Sequence, residues 1–187
     1  APDVFASAVT ASRANDADDL VNGAAFDNAG PWVLTVADDA NFTTGVVTTA
    51  GNGGANAGTL TFAGSSVLNT VAFSDPAAGT ATNALLAINA GLAGEVVRFN
   101  GDIFATTVNI TGTGNLNSES ITGAVVFLDN GVLAVNDDEN ITGAITTNGA
   151  DNQGTLSLGG GTQTVTGQIG TSSAADLNVV DVGDNFS

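Results

Sequence analysis

Asp27 to Phe62 reads DNAGPWVLTVADDANFTTGVVTTAGNGGANAGTLTF, and Asp129 to Leu158 reads DNGVLAVNDDENITGAITTNGADNQGTLSL. Val33-Leu34 falls on Val132-Leu133 and Asp38-Asp39 on Asp137-Asp138, both at an offset of 99 residues. The elements VL, DD, TG, TT and GTL follow in the same order in both stretches, so the chain repeats itself, with copies at about 27–74 and 127–174. A β unit whose apolar face is covered only by the next unit leaves this signature. Such stacking serves a scaffold or fibre better than a single catalytic pocket.

From Trp32 onward the runs WVLTV, GVVTT, TLTF, VVRF, TTVNI, AVVFL, VLAV, AITT, TLSL, QTVTG and LNVVDV are short, β-branched or aromatic, and closed by Gly, Asn or Asp. Alternation puts Trp32, Leu34 and Val36 on one side of a strand and Val33 and Thr35 on the other. Leu60 with Phe62, Leu133 with Val135, and Leu156 with Leu158 repeat that step of two and should stack into apolar ladders, with Asn and Thr at equivalent turns bonding from coil to coil. Ala14 to Ala25 reads as a short helix or capped turn, and Ala78 to Ala93 fits a helical face as well as a strand.

Spacing selects the architecture. Thr-Gly recurs at Thr111-Gly112, Thr122-Gly123, Thr142-Gly143 and Thr166-Gly167, in steps of 11, 20 and 24, and Gly-x-Leu units begin at Gly114, Gly131 and Gly154, in steps of 17 and 23. Steps near about 20 residues match one coil of a parallel β-helix. The expected fold is therefore all-β, a right-handed parallel β-helix (β-solenoid), with residues 1–28 as a short irregular N-terminal cap or assembly segment and 29–187 as the β-repeat domain. An antiparallel β-sandwich is the alternative, favoured by the step of 11. The strand-forming run LNVVDV, close to the last residue, is expected to leave an uncapped edge for another chain.

Composition narrows the chemistry. The 187 residues include no His, Cys, Met, Tyr or Lys, and the only cations are Arg13 and Arg98. Imidazole bases, thiol nucleophiles, Schiff-base lysines and Cys/His zinc sites are excluded. A formal net charge of −17 repels the phosphate backbone, so no nucleic-acid partner is expected. No run approaches the roughly 18 apolar residues of a transmembrane segment. With 43% hydrophobic residues the chain can still build a core. An acidic, Lys-free, Thr/Asn/Gly-rich chain fits the bacterial cell surface or the extracellular space. APDVFASAV lacks a basic start and is no signal peptide, while Ala1 suits both the first residue after cleavage of an exported precursor and an arbitrary start.

Carboxylates cluster at Asp16/Asp18/Asp19, Asp38/Asp39, Asp137/Asp138/Glu139 and Asp181/Asp184. Hard oxygen donors in such groups suit Ca²⁺, and Asp38, Asp39, Asp137, Asp138 and Glu139 are the candidate ligands. As solvated turn residues they would instead serve solubility. No EF-hand loop is present, and Gly51 to Gly58 lacks the aspartate of a calcium-binding nonapeptide repeat. A glycosidase wants two carboxylates across a cleft with aromatic platforms, against which stand one Trp and nine Phe, mostly in strand positions. Arg98, in EVVRFNGD, reads as a partner for Glu95 or Asp102. Sequons at Asn41, Asn109, Asn140 and Asn185 are the chance yield of an Asn/Thr-rich chain. Thr-x-Thr at Thr59-Thr61, Thr80-Thr82 and Thr162-Thr164 keeps no coil period, as an ice-binding face would require.

The GTLTF of Gly58 to Phe62, the repeat style of Gly154 to Ser172 and NITGAITTNGADNQGTLSLGGG at Asn140 to Gly161 resemble the passenger regions of bacterial autotransporters, most of all the large rickettsial-type outer-membrane surface antigens. The resemblance covers about Trp32 to Ser172. It implies a role in surface layers or adhesion. The C-terminal membrane β-barrel of such proteins is not in this chain, which then reads as a processed or partial passenger or as a free subunit.

The expected function is that of a non-enzymatic structural subunit of a surface layer or extracellular filament, self-assembling into a homo-oligomer or polymer. The alternative is an adhesin or carbohydrate-binding passenger with a host or glycan ligand. A carboxylate-based glycan hydrolase comes third.

Overall fold

Alternating apolar and small polar residues make strands, and strands are the only regular elements among the described residues. The computed structural model describes residues 3–5, 9–11, 20–21, 24–26, 33–36, 40–42, 46–48, 58–69, 78–81, 83–171 and 176–183, with side chains in 33–36, 58–67, 78–81, 83–171 and 176–183. Every strand pairing is parallel. Parallel neighbours cannot be joined by a hairpin, so the chain must travel round and return to the same place before each pairing. The result is a β-solenoid of stacked coils, and the sandwich alternative falls. Among the described residues no helix is long and apolar enough to cross a membrane.

Each coil passes three faces in turn. On the first, Asp3–Phe5, Ala24–Phe26 and Val46–Thr48 form a three-stranded sheet. In chain order the same place is later taken by Ala78, Ile103, Ile121, Ile141 and Val165, each paired with the next. The second face stacks Val9–Ala11, Val33–Val36, Thr59–Phe62, Leu85–Ala90, Ile103–Ile110 and Ile121–Phe127, with Ile145–Thr147 on the last of these. Ile103–Ile110 and Ile121–Phe127 therefore run across both faces, with a register shift between Phe104 and Thr107. The third face is an eight-stranded sheet, Leu20–Val21, Ala40–Phe42, Ser66–Asn69, Val96–Asn100, Asn115–Ser118, Val132–Val135, Gln153–Leu158 and Leu177–Val182, neighbours in chain order.

The core is a set of ladders. Leu34, Leu60, Ile88, Val108, Val125 and Ile145 stand in register on the second face, all fully buried. Val97, Leu116, Leu133 and Leu156 do the same on the third. Phe62 and Phe99 meet edge to face, ring centroids 5.8 Å apart at 88°, tying the second face to the third. The expected pairs of Leu60 with Phe62 and Leu133 with Val135 point inward, and Val33 and Thr35 point outward, half-buried. Trp32 lies outside the described residues.

Several sequence patterns acquire their geometry here. Leu116, Leu133 and Leu156 are in register, so the Gly-x-Leu steps of 17 and 23 are coil lengths. Thr122 pairs with Thr142, and the Thr166 N–H donates to Ile141 O at 3.0 Å, so the Thr-Gly steps of 20 and 24 are coil lengths too. Thr111-Gly112 belongs to a different corner, after Ile103–Ile110, and the step of 11 that spoke for a sandwich merely passes from one corner to another. The two repeat copies differ in face: Val33-Leu34 lies on the second, Val132-Leu133 on the third. Leu85–Ala90 settles the ambiguous 78–93 stretch as strand, and strands at Leu20–Val21 and Ala24–Phe26 lie within or beside the 14–25 segment considered helical. Parallel pairing reaches Asp3–Phe5, inside the segment read as a cap.

Candidate functional site

Of the five proposed calcium ligands, Asp38 and Asp39 lie outside the described residues. Asp137, Asp138 and Glu139 occupy the turn after Val132–Val135, and their side chains part company. Asp137 Oδ1 accepts from the Gly160 N–H at 2.7 Å and Asp138 Oδ1 from the Thr162 N–H at 2.8 Å, both on the following coil. Asp138 takes a positive φ of 62°, a conformation that a short Asp side chain tolerates. Glu139 reaches the other way, to Ser120 on the preceding coil. Among the described residues no group of three or more acidic side chains could hold a metal ion.

The Glu139 contact is one of two with the same construction. Ser120 Oγ donates to Glu139 Oε2 at 2.5 Å and accepts from the Asn140 N–H at 3.0 Å. Ser65 Oγ donates to Glu95 Oε2 at 2.6 Å and accepts from the Val96 N–H at 3.0 Å. In both, the serine and the glutamate each stand immediately before a strand, one coil apart, and the charged acceptor strengthens the bond. Glu95, considered as a partner for Arg98, is thus bonded to Ser65. Sequence reasoning missed these clasps because their members are 19 and 30 residues apart with no local motif.

The outward side of the second face has a uniform chemistry. One column runs Thr35, Thr61, Asn89, Asn109, Val126, Thr146 in register, every residue half-buried. The adjacent column runs Val33, Thr59, Ala87, Thr107, Ala124. Asn89 Nδ2 donates to Thr61 Oγ1 at 3.0 Å and Asn109 Nδ2 to Asn89 Oδ1 at 2.7 Å. The expected Asn/Thr ladder exists, on a strand face rather than at turns. Neither column holds a charge, and apart from Asp3 and Asp181 every described carboxylate sits between strands.

The last described coil is different again. Val180 pairs with Leu156 and Val182 with Leu158, and Ile169 bridges to Ile145. These three continue inward-facing ladders, yet Val180 is 47% exposed, Val182 45% and Ile169 41%, whereas Leu156 and Ile145 one coil earlier are fully buried. Leu177–Val182 ends the order of its sheet among the described strands.

No protein-family model, no curated protein and no solved structure matches the chain.

Proposed function

We propose that this chain is a non-enzymatic structural subunit of a bacterial cell-surface layer or extracellular filament, joined to further copies end to end. One observation carries the reading: among the described residues the apolar ladders continue onto Val180, Val182 and Ile169, which are 47%, 45% and 41% exposed. A solenoid coil needs a neighbour to cover its inward residues. Covering three half-exposed aliphatic side chains contributes about 1 kcal/mol each, and Leu177–Val182, last in its sheet among the described strands, offers backbone N–H and C=O groups to a further parallel strand. The surface location rests on the Lys-free acidic composition and on the resemblance to autotransporter passengers. The adhesin reading has less behind it, since among the described aromatic side chains Phe62, Phe99 and Phe127 are buried and Phe104 is only half-exposed.

The test is to compare the full chain with its Val180→Asp/Val182→Asp variant by sedimentation velocity and electron microscopy. The parent should form concentration-dependent linear assemblies, and the variant, with carboxylates set into the end contact, should lose association by about tenfold or more. A parent that stays monomeric at high concentration, or a variant that assembles equally well, would end the building-block reading.

A further inference from the structure

The two described columns on the outward side of the second face carry no charge, so two copies can meet there without opposing carboxylates. With a net charge of −17, an approach through the turns sets acid against acid, because most of the described carboxylates lie there. We propose that a second copy of this chain docks on this face, side by side, with its own second face against it. This contact uses a different surface from the end-to-end junction and holds whether or not that junction forms.

Three features favour burial of this face. Its residues are Thr, Ala, Val and Asn, none longer than Asn, on in-register parallel strands, so the surface has little relief, and two such sheets can approach to about 10 Å. Its amide groups are partly satisfied already: Asn109 bonds Asn89, and Asn89 bonds Thr61. Desolvating them therefore leaves fewer unpaired groups than desolvating free side chains would. Leu86, 41% exposed, adds apolar surface beside the columns.

Area decides the strength. Six strands about 4.8 Å apart give a patch about 30 Å by 15 Å, roughly half the 800 Å² per partner of a standard interface. A pair of single chains should therefore associate weakly. If copies also stack end to end, each added copy extends the same face, and the side contacts sum along the stack. Lateral joining would then convert filaments into a layer.

The experiment uses the full-length Val180→Asp/Val182→Asp chain, so that end contacts do not contribute, in about 0.5 M NaCl, where long-range repulsion is screened. Sedimentation equilibrium should show a reversible dimer. Adding Val126→Asp, or separately Thr146→Asp, places a carboxylate in the contact and should weaken dimerisation about tenfold or more, while Asn130→Asp adds the same charge at an exposed turn and should change it less than about twofold. Circular dichroism checks that each variant keeps its β signal, and the Thr146 variant stands in if the Val126 variant does not fold. A monomer at all concentrations, or equal effects of face and turn charges, would overturn the proposal. Failure of the end-to-end reading shows elsewhere, as an unchanged assembly state when Val180 and Val182 are replaced in the parent.

Discussion

Thr-Gly is a motif about backbone proximity. A methyl group on Gly143 would sit 2.1 Å from Gly123 O, and one on Gly167 would sit 2.0 Å from Gly143 O. Gly143 also has φ +149°, a conformation that side chains rarely adopt. Coils cross closely here because the chain bends from the first face to the second, and the obstacle is main chain, which yields only if the neighbouring coil yields. Gly143→Ala should thus destabilise the protein by about 2 to 3 kcal/mol, against less than about 0.5 kcal/mol for Thr142→Ala at the exposed neighbouring position. Denaturant unfolding of the two variants checks this, and equal midpoints would show that the corner is soft. The motif and its period were legible in the sequence; its cause was not, since a glycine's near contacts come from residues about 20 positions away.

At the scale of elements, all eleven runs picked out by β-branched content contain strands, among them Val132–Val135, Gln153–Leu158 and Leu177–Val182. Strands that escaped are the polar or Ala-rich ones, such as Asn115–Ser118 and Ala40–Phe42, which are held by pairing on both sides rather than by their own propensity. Turns were less readable, because adjacent acids in sequence need not point together. The 136–138 turn is stitched to the next coil by Gly160 N–H to Asp137, Thr162 N–H to Asp138, Gln163 Nε2 to Asn136 O and the Asp138 N–H to Gly160 O. A cation drawing Asp137, Asp138 and Glu139 together would have to pull against hydrogen bonds that hold Asp137 and Asp138 to the following coil and Glu139 to the preceding one. Millimolar CaCl2 should therefore raise Tm no more than NaCl of equal ionic strength, both acting by screening. A larger rise with Ca²⁺, lost on replacing Asp38 and Asp39 by Asn, would place a metal site on the earlier acidic pair instead.

For the whole molecule, the repeat was visible as a 99-residue offset, but that offset links two different faces, because strands of every face obey the same inward-outward alternation and so look alike in sequence. What periodicity could not show is how well the ladders are covered at Leu177–Val182, where Val180 and Val182 are 47% and 45% exposed. Each coil touches mainly its two neighbours, so removing a terminal coil should leave the remainder folded. It would also renew the open end: without 172–187, Leu156, now fully buried, would take over the exposed position of Val180. A chain ending at 171 is therefore expected to keep its β signal, melt somewhat lower and still form linear assemblies, whereas the full-length Val180→Asp/Val182→Asp variant should go no further than a weak side-by-side dimer. Sedimentation velocity on the pair separates the two ideas of what drives assembly. If truncation alone abolishes linear assembly, the junction depends on the particular sequence from Leu177 to Val182; if both chains form linear assemblies, neither the uncovered ladder nor its last strand is the contact.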